Sequence, residues 1–206
     1  MAVRWTRVVV VAGLALVLAG VGVSHPQDLN GDTASWWTTL HVLLLPVFPL
    51  LGVALWLLLR GVPGPVAWVG RVAAFGYAAF YTALDVLSGI GTGTLMRRAA
   101  ERGYEGPTGE IAELFAAGSR LGTVGTGCFL VACLATSAAL VLRTGRAAVP
   151  GAVVLSVAAV SFVDSHIYWP VGVATMLAMA VGLGLLAAAP PAHEQASSAL
   201  SPSPPP

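Results

Sequence analysis

The sequence predicts an all-α bundle of six transmembrane helices, and three observations carry that reading. Only 9% of the 206 residues are charged and 57% are hydrophobic, whereas a soluble domain carries about 25% charged residues. The mean hydropathy is +0.84. Apolar runs close to bilayer length recur at residues 5–23, 39–59, 72–94, 121–142, 147–163 and 171–189, against the roughly 20 residues that a helix needs to cross about 30 Å of hydrocarbon. The segments between them are short and carry nearly all of the charge. Residues 1–189 therefore read as one bundle, and 190–206, rich in Pro, Ser and Ala, reads as a disordered tail.

The first run follows Arg4 and Arg7 and ends among small residues near Gly22 and Ser24. It reads as a retained span, the alternative being a cleaved signal peptide that would leave five spans. Residues 24–38 hold Asp28, Asp32, His25 and no Arg, with Trp36 and Trp37 placed to anchor the next helix at an interface. The second span carries His41 in its first turn and prolines at 46 and 49, which free backbone carbonyls and predict a kink. Residues 60–71 form a Pro/Gly turn with Arg60 and Arg71 at its ends. The longest polar segment, 95–120, mixes Arg97, Arg98, Arg102 and Arg120 with Glu101, Glu105, Glu110 and Glu113, and its part 108–118 predicts a short amphipathic helix. The fourth span offers Gly122, Gly125 and Ser137 for close packing; Arg143 and Arg146 mark a tight turn; the sixth has small residues four apart at 178/182 and 180/184.

The arginine distribution places the N-terminus in the cytoplasm and the 95–120 loop outside a cell membrane. All ten basic residues are Arg, a bias that suggests a GC-rich bacterial coding sequence, and the net charge of +1 supplies no field for nucleic acid. The expected partners are the lipid bilayer and a membrane-protein partner or second copy. Cys128 and Cys133 point to helix faces about 140° apart, too divergent for a disulfide within the helix.

The third span carries the functional signal. At about 100° per residue, Tyr77, Tyr81, Asp85, Ser88 and Thr92 share a stripe roughly 80° wide on an otherwise apolar helix. An Asp at the centre of a span costs about 2.5–3.5 kcal/mol even on insertion scales, so it marks a functional position or a helix-tying hydrogen bond. With the expected topology His41, Asp85, Asp164 and His166 converge on the outer leaflet, with His25, Tyr81, Ser88 and Thr92 at compatible depths. The candidate ligand-binding residues are Asp85, His41, His166, Tyr81 and Ser88, around an outward-facing polar pocket that binds or transports a small molecule or ion. Neutral imidazole and carboxylate also suit a divalent metal, so a second reading is a metal-dependent membrane enzyme with His41, Asp85 and His166 as ligands and a bound water as nucleophile, or a haem-binding protein using His41 and His166. A third reading is a non-catalytic subunit of a membrane complex. No HExxH, nucleophile elbow or Walker A pattern is present, and the glycines at 89, 91 and 93 lack the strand that a nucleotide loop needs.

Overall fold

The structure is a computed structural model and describes residues 2–103 and 106–190. The predicted tail from 191 onward and Glu105 of the predicted loop lie outside the described residues, as does the side chain of Arg4. Among the described residues every regular element is helical. They are α1 (Ala2–Gly22), α2 (Ala34–Leu44), α3 (Val47–Leu58), α4 (Pro65–Leu84), a π-helical segment (Asp85–Gly91), α5 (Thr92–Glu101), α6 (Gly109–Thr144), a 3-10 turn (Gly145–Ala148), α7 (Val149–Ser165) and α8 (Val171–Ala188). Five helical stretches are long and apolar enough to cross a membrane: Trp5–Gly22, Ala34–Leu58, Pro65–Glu101, Gly109–Ser165 and Val171–Ala188.

The kink expected at the two prolines is a full break between α2 and α3. Pro46 has no N–H to donate, and the last cap bond of α2 runs from Leu45 N–H to the His41 carbonyl at 2.9 Å. Residues 108–118 do not form a separate helix. They are the first turns of α6, which runs for 36 residues with no proline to interrupt it and with Gly118, Gly122 and Gly125 packed against a neighbour. The helix that carries Asp85 likewise starts earlier and ends later than expected, at Pro65 and Glu101.

The bundle is a closed ring in which each helix packs on the next: α1, α3, α4, α6, α7, α8 and back to α1. Small residues set the close approaches. Gly118, Gly122 and Gly125 line one face of α6; a Cβ added there would collide with Ser88 Oγ, stand 2.9 Å from Leu84 Cδ2 and 3.0 Å from Tyr81 N. Between α7 and α8, a Cβ on Gly182 would stand 2.7 Å from Leu155 N and one on Gly151 2.8 Å from Leu186 N. Neighbouring backbone cannot give way as a flexible side chain can. Gly182→Leu is therefore expected to cost at least the 1–3 kcal/mol of an overpacked core, read as a lower unfolding temperature in detergent. Gly13→Leu, where nothing lies within 4 Å, should leave that temperature unchanged or raise it, since Leu is the better helix former.

One end of the ring is tied by arginines. The carbonyls at the end of α3 have no partner within their helix. Arg7 of α1 donates to the carbonyls of Leu57 (3.3 Å) and Leu58 (2.9 Å), Arg71 of α4 to those of Leu59 (2.6 Å) and Val62 (2.9 Å), and Arg143 of α6 to that of Gly61 (2.6 Å). Following each helix away from that end leads to the site.

Candidate metal centre

At the far end, three imidazoles from three separate stretches meet. His25 follows α1, where Ser24 N–H reaches the Val21 carbonyl (3.0 Å) and His25 N–H the Gly22 carbonyl (3.3 Å), folding the chain back over the bundle. His41 lies on α2, its ring against Gly89, where any side chain would overlap it. His166 follows α7 with φ at +45°, a conformation that residues with side chains rarely adopt. The end of α7 is fixed to α8 by the Ser161–Thr175 hydroxyl pair (2.6 Å) and a Ser165 hydroxyl bond to Thr175 (3.3 Å). The His25 ring centroid is 5.1 Å from that of His41 and 5.6 Å from that of His166, both edge to face. One nitrogen from each ring lies within 4.8 Å of the others.

The hydrogen bonds select which nitrogen faces inward. His25 Nδ1–H donates to the Pro26 carbonyl and His41 Nδ1–H to the Trp37 carbonyl, each at 2.7 Å. A carbonyl can only accept, so in the neutral rings Nε2 keeps its lone pair. Nδ1 of His166 is hydrogen-bonded to the Tyr81 hydroxyl. His25 Nε2 is buried and has no hydrogen-bond partner. Burial holds His25 below the usual histidine range, partly offset by the Pro26 carbonyl. Burial, and then the proximity of His25 and His41, hold His166 well below that range. Both rings are therefore neutral at pH 7, the state in which imidazole binds a metal. Burial, aided by Asp28, pushes the neighbouring Tyr168 hydroxyl up to about 12.

Asp85 stands beside this trio rather than within it. Its Oδ1 is 3.9 Å from His41 Nε2, it is 2% exposed, and its Oδ2 has no hydrogen-bond partner. It opens the π-helical segment, whose wider turn is a feature frequent at functional sites. The Trp37 indole N–H donates to the Ser88 carbonyl in that segment at 3.2 Å. A cavity of about 280 Å³ adjoins, lined by His41, Tyr81, Asp85, Ser88 and His166 together with Ser119, Thr123, Thr126 and Asp164. The buried Ser88 Oγ also lacks a hydrogen-bond partner. Below the imidazoles, Phe48, Tyr77, Tyr81, Phe129 and Phe162 form a layer no more than 1% exposed, with neighbouring rings 4.6–5.5 Å apart.

The five candidate residues from the sequence, Asp85, His41, His166, Tyr81 and Ser88, thus line one cavity. Of the three candidate metal ligands, His41 and His166 fall in one cluster with His25, and Asp85 lies beside it with Oδ1 3.9 Å from His41 Nε2. Thr92 is fully buried away from the cavity lining. Trp37, expected at a lipid interface, is 4% exposed and packs against His25 and His41, whereas Trp36 is 43% exposed. Comparison of the chain with protein-family models, with characterised proteins and with solved structures finds no match to any of them.

Proposed function

We propose that this chain is a polytopic membrane protein that binds one divalent transition-metal ion through His25, His41 and His166. The observation that carries the reading is the convergence of three imidazoles whose Nδ1 atoms are all hydrogen-bonded away from the cluster. Metal-binding histidines are oriented by just such partners on the other nitrogen. Three nitrogens on a tetrahedral ion with bonds of about 2.0–2.1 Å stand about 3.4 Å apart, so the rings need to draw in by no more than about an ångström each. Imidazole suits zinc, copper, iron and nickel alike. A bare ion fits better than haem, because the His25 ring packs edge to face against both His41 (5.1 Å between centroids) and His166 (5.6 Å).

In this reading the chain crosses a cell membrane six times as a single bundle. The stretch Gly109–Ser165 supplies two passes, because Gly145, at φ +67°, ends α6 and α7 packs back against it. The arginine-tied end is cytoplasmic, which places the metal centre and its cavity in the outer half. The aromatic layer beneath the histidines supports a site served from one face over a conducting path.

The test is elemental analysis of the full-length protein purified at pH 7.5 and supplied with zinc or cobalt. One equivalent per chain is expected, falling below a tenth of that in His25→Asn. If wild type and His25→Asn hold the same substoichiometric metal, the reading is wrong and the polar cavity around Asp85 takes a metal-free ligand instead.

A further inference from the structure

Three protein ligands leave a zinc-type ion one place short of four. Structural zinc sites fill all four places with protein groups, whereas catalytic ones keep the fourth for water or substrate. Here the cavity that His41 and His166 line adjoins the three nitrogens and can supply the fourth partner. Two residues that line this space carry buried polar atoms without hydrogen-bond partners, Asp85 Oδ2 and Ser88 Oγ. Leaving such groups unpaired costs about 1–3 kcal/mol each, more for a charge, so an occupant that pairs both is favoured. The walls also define the occupant. Among the described lining residues there is no Arg or Lys, while two carboxylates, Asp85 and Asp164, are present, so an anionic phosphate or carboxylate finds no counter-charge beyond the ion itself and is opposed by both carboxylates. Leu84, Phe115, Phe162 and Val163 supply an apolar side.

We propose that the centre is catalytic and hydrolyses a neutral carbonyl compound, a carboxylic ester or amide with an apolar acyl group, seated in this cavity. The inference rests on the metal reading above. Water is the co-reactant. The ion lowers the pKa of the water bound at its open position. Asp85 takes a proton from that water as its oxygen bonds to the carbonyl carbon, and the ion and the Ser88 hydroxyl stabilise the negative charge that builds on the carbonyl oxygen. The tetrahedral adduct then expels the alcohol or amine, which leaves with the proton from Asp85. The remaining product is the carboxylic acid. No oxidant or reductant enters, and Asp85 returns to its starting state.

The test uses the full-length protein in detergent, loaded with one equivalent of zinc, and 4-nitrophenyl acetate and butyrate as probes, with 4-nitrophenyl phosphate as the anionic counterpart. Zinc-dependent release of 4-nitrophenol from both esters is expected, with at least about tenfold less from the phosphate. Asp85→Asn should keep its zinc and lose at least about 10²-fold in kcat, the scale of a general base. Four outcomes overturn parts of the picture distinguishably. Absence of bound zinc removes the metal reading and this inference together. Stoichiometric zinc with ester turnover no faster than in zinc-free His25→Asn removes only the inference. Faster turnover of the phosphate overturns the substrate class. Loss of zinc from a folded Asp85→Asn makes Asp85 a ligand and overturns its role as base.

Discussion

Replacing His166 by glycine is expected to empty the metal centre while disturbing the fold less than replacement by alanine does. The usual order is the reverse, because glycine has more freedom to lose on folding. At this position the backbone stands at φ +45°, and side chains held in such regions cost about 1–3 kcal/mol. Glycine relieves that strain and alanine keeps it. Both lose the ring packed 5.5 Å from Phe48 and the bond to Tyr81, so the difference between them isolates the backbone term. The glycine variant should unfold at the higher temperature, with a gap of about 1 kcal/mol. Zinc affinity, measured by chelator competition, should fall in both by at least about 10²-fold, beyond the 10–100-fold that loss of an outer hydrogen-bond partner costs. Millimolar imidazole, which fits the space left by the ring, should restore zinc to the glycine variant. An alanine variant as stable as the glycine one would show that His166 carries no strain. Unchanged affinity in both would remove His166 from the centre.

That strain is also why the site was only partly legible in the sequence. Helical periodicity put Tyr77, Tyr81, Asp85 and Ser88 on one face, and three of these line the cavity, while Tyr77 lies in the aromatic layer below. Period and polarity are local properties, and a span exposes them. The π-helical segment at Asp85–Gly91 left no such trace, because whether a carbonyl bonds to the fourth or fifth residue onward is decided by packing. Here that packing includes Gly89 against His41 and Gly118 against Ser88. His25 was harder still. It sits in an aperiodic turn, and its place depends on how the end of α1 folds back toward Ile167, which approaches Gly22 too closely for any side chain there. Trp37 shows the opposite error. A Trp pair beside an apolar run resembles an interfacial belt, yet one indole faces inward to orient two histidines. The long helix α6 absorbed the expected loop helix because its polar first turns and apolar later ones share one uninterrupted backbone.

Acidification is the second manipulation with a large expected effect. In the metal-free protein, the part of the stability that depends on His25 and His166 should be lost as the pH falls from 7 to 5, and the sign follows from which state binds protons. A histidine in the unfolded chain titrates near 6.5. His25 and His166 are held below that value in the folded protein. Above about pH 7 both states are neutral at these positions, and stability does not depend on them. As the pH falls through about 6.5 the unfolded chain takes up protons that the folded one refuses, so stability is lost until the folded values are reached. Each unit of depression is worth about 1.4 kcal/mol, and the two sites act in the same direction. Bound zinc should add stability at pH 7 and above, since it binds only the neutral trio, and should be expelled at lower pH as protons compete for the same nitrogens. Thermal unfolding in detergent across this range, with and without zinc, reads both effects. The slope should shrink in His25→Asn and in His166→Gly, each of which removes one titrating group. A pH dependence that is unchanged or steeper in both variants would mean that the folded rings are held protonated, with Asp85 as their counter-ion. The lone pairs on which the metal centre depends would then be absent.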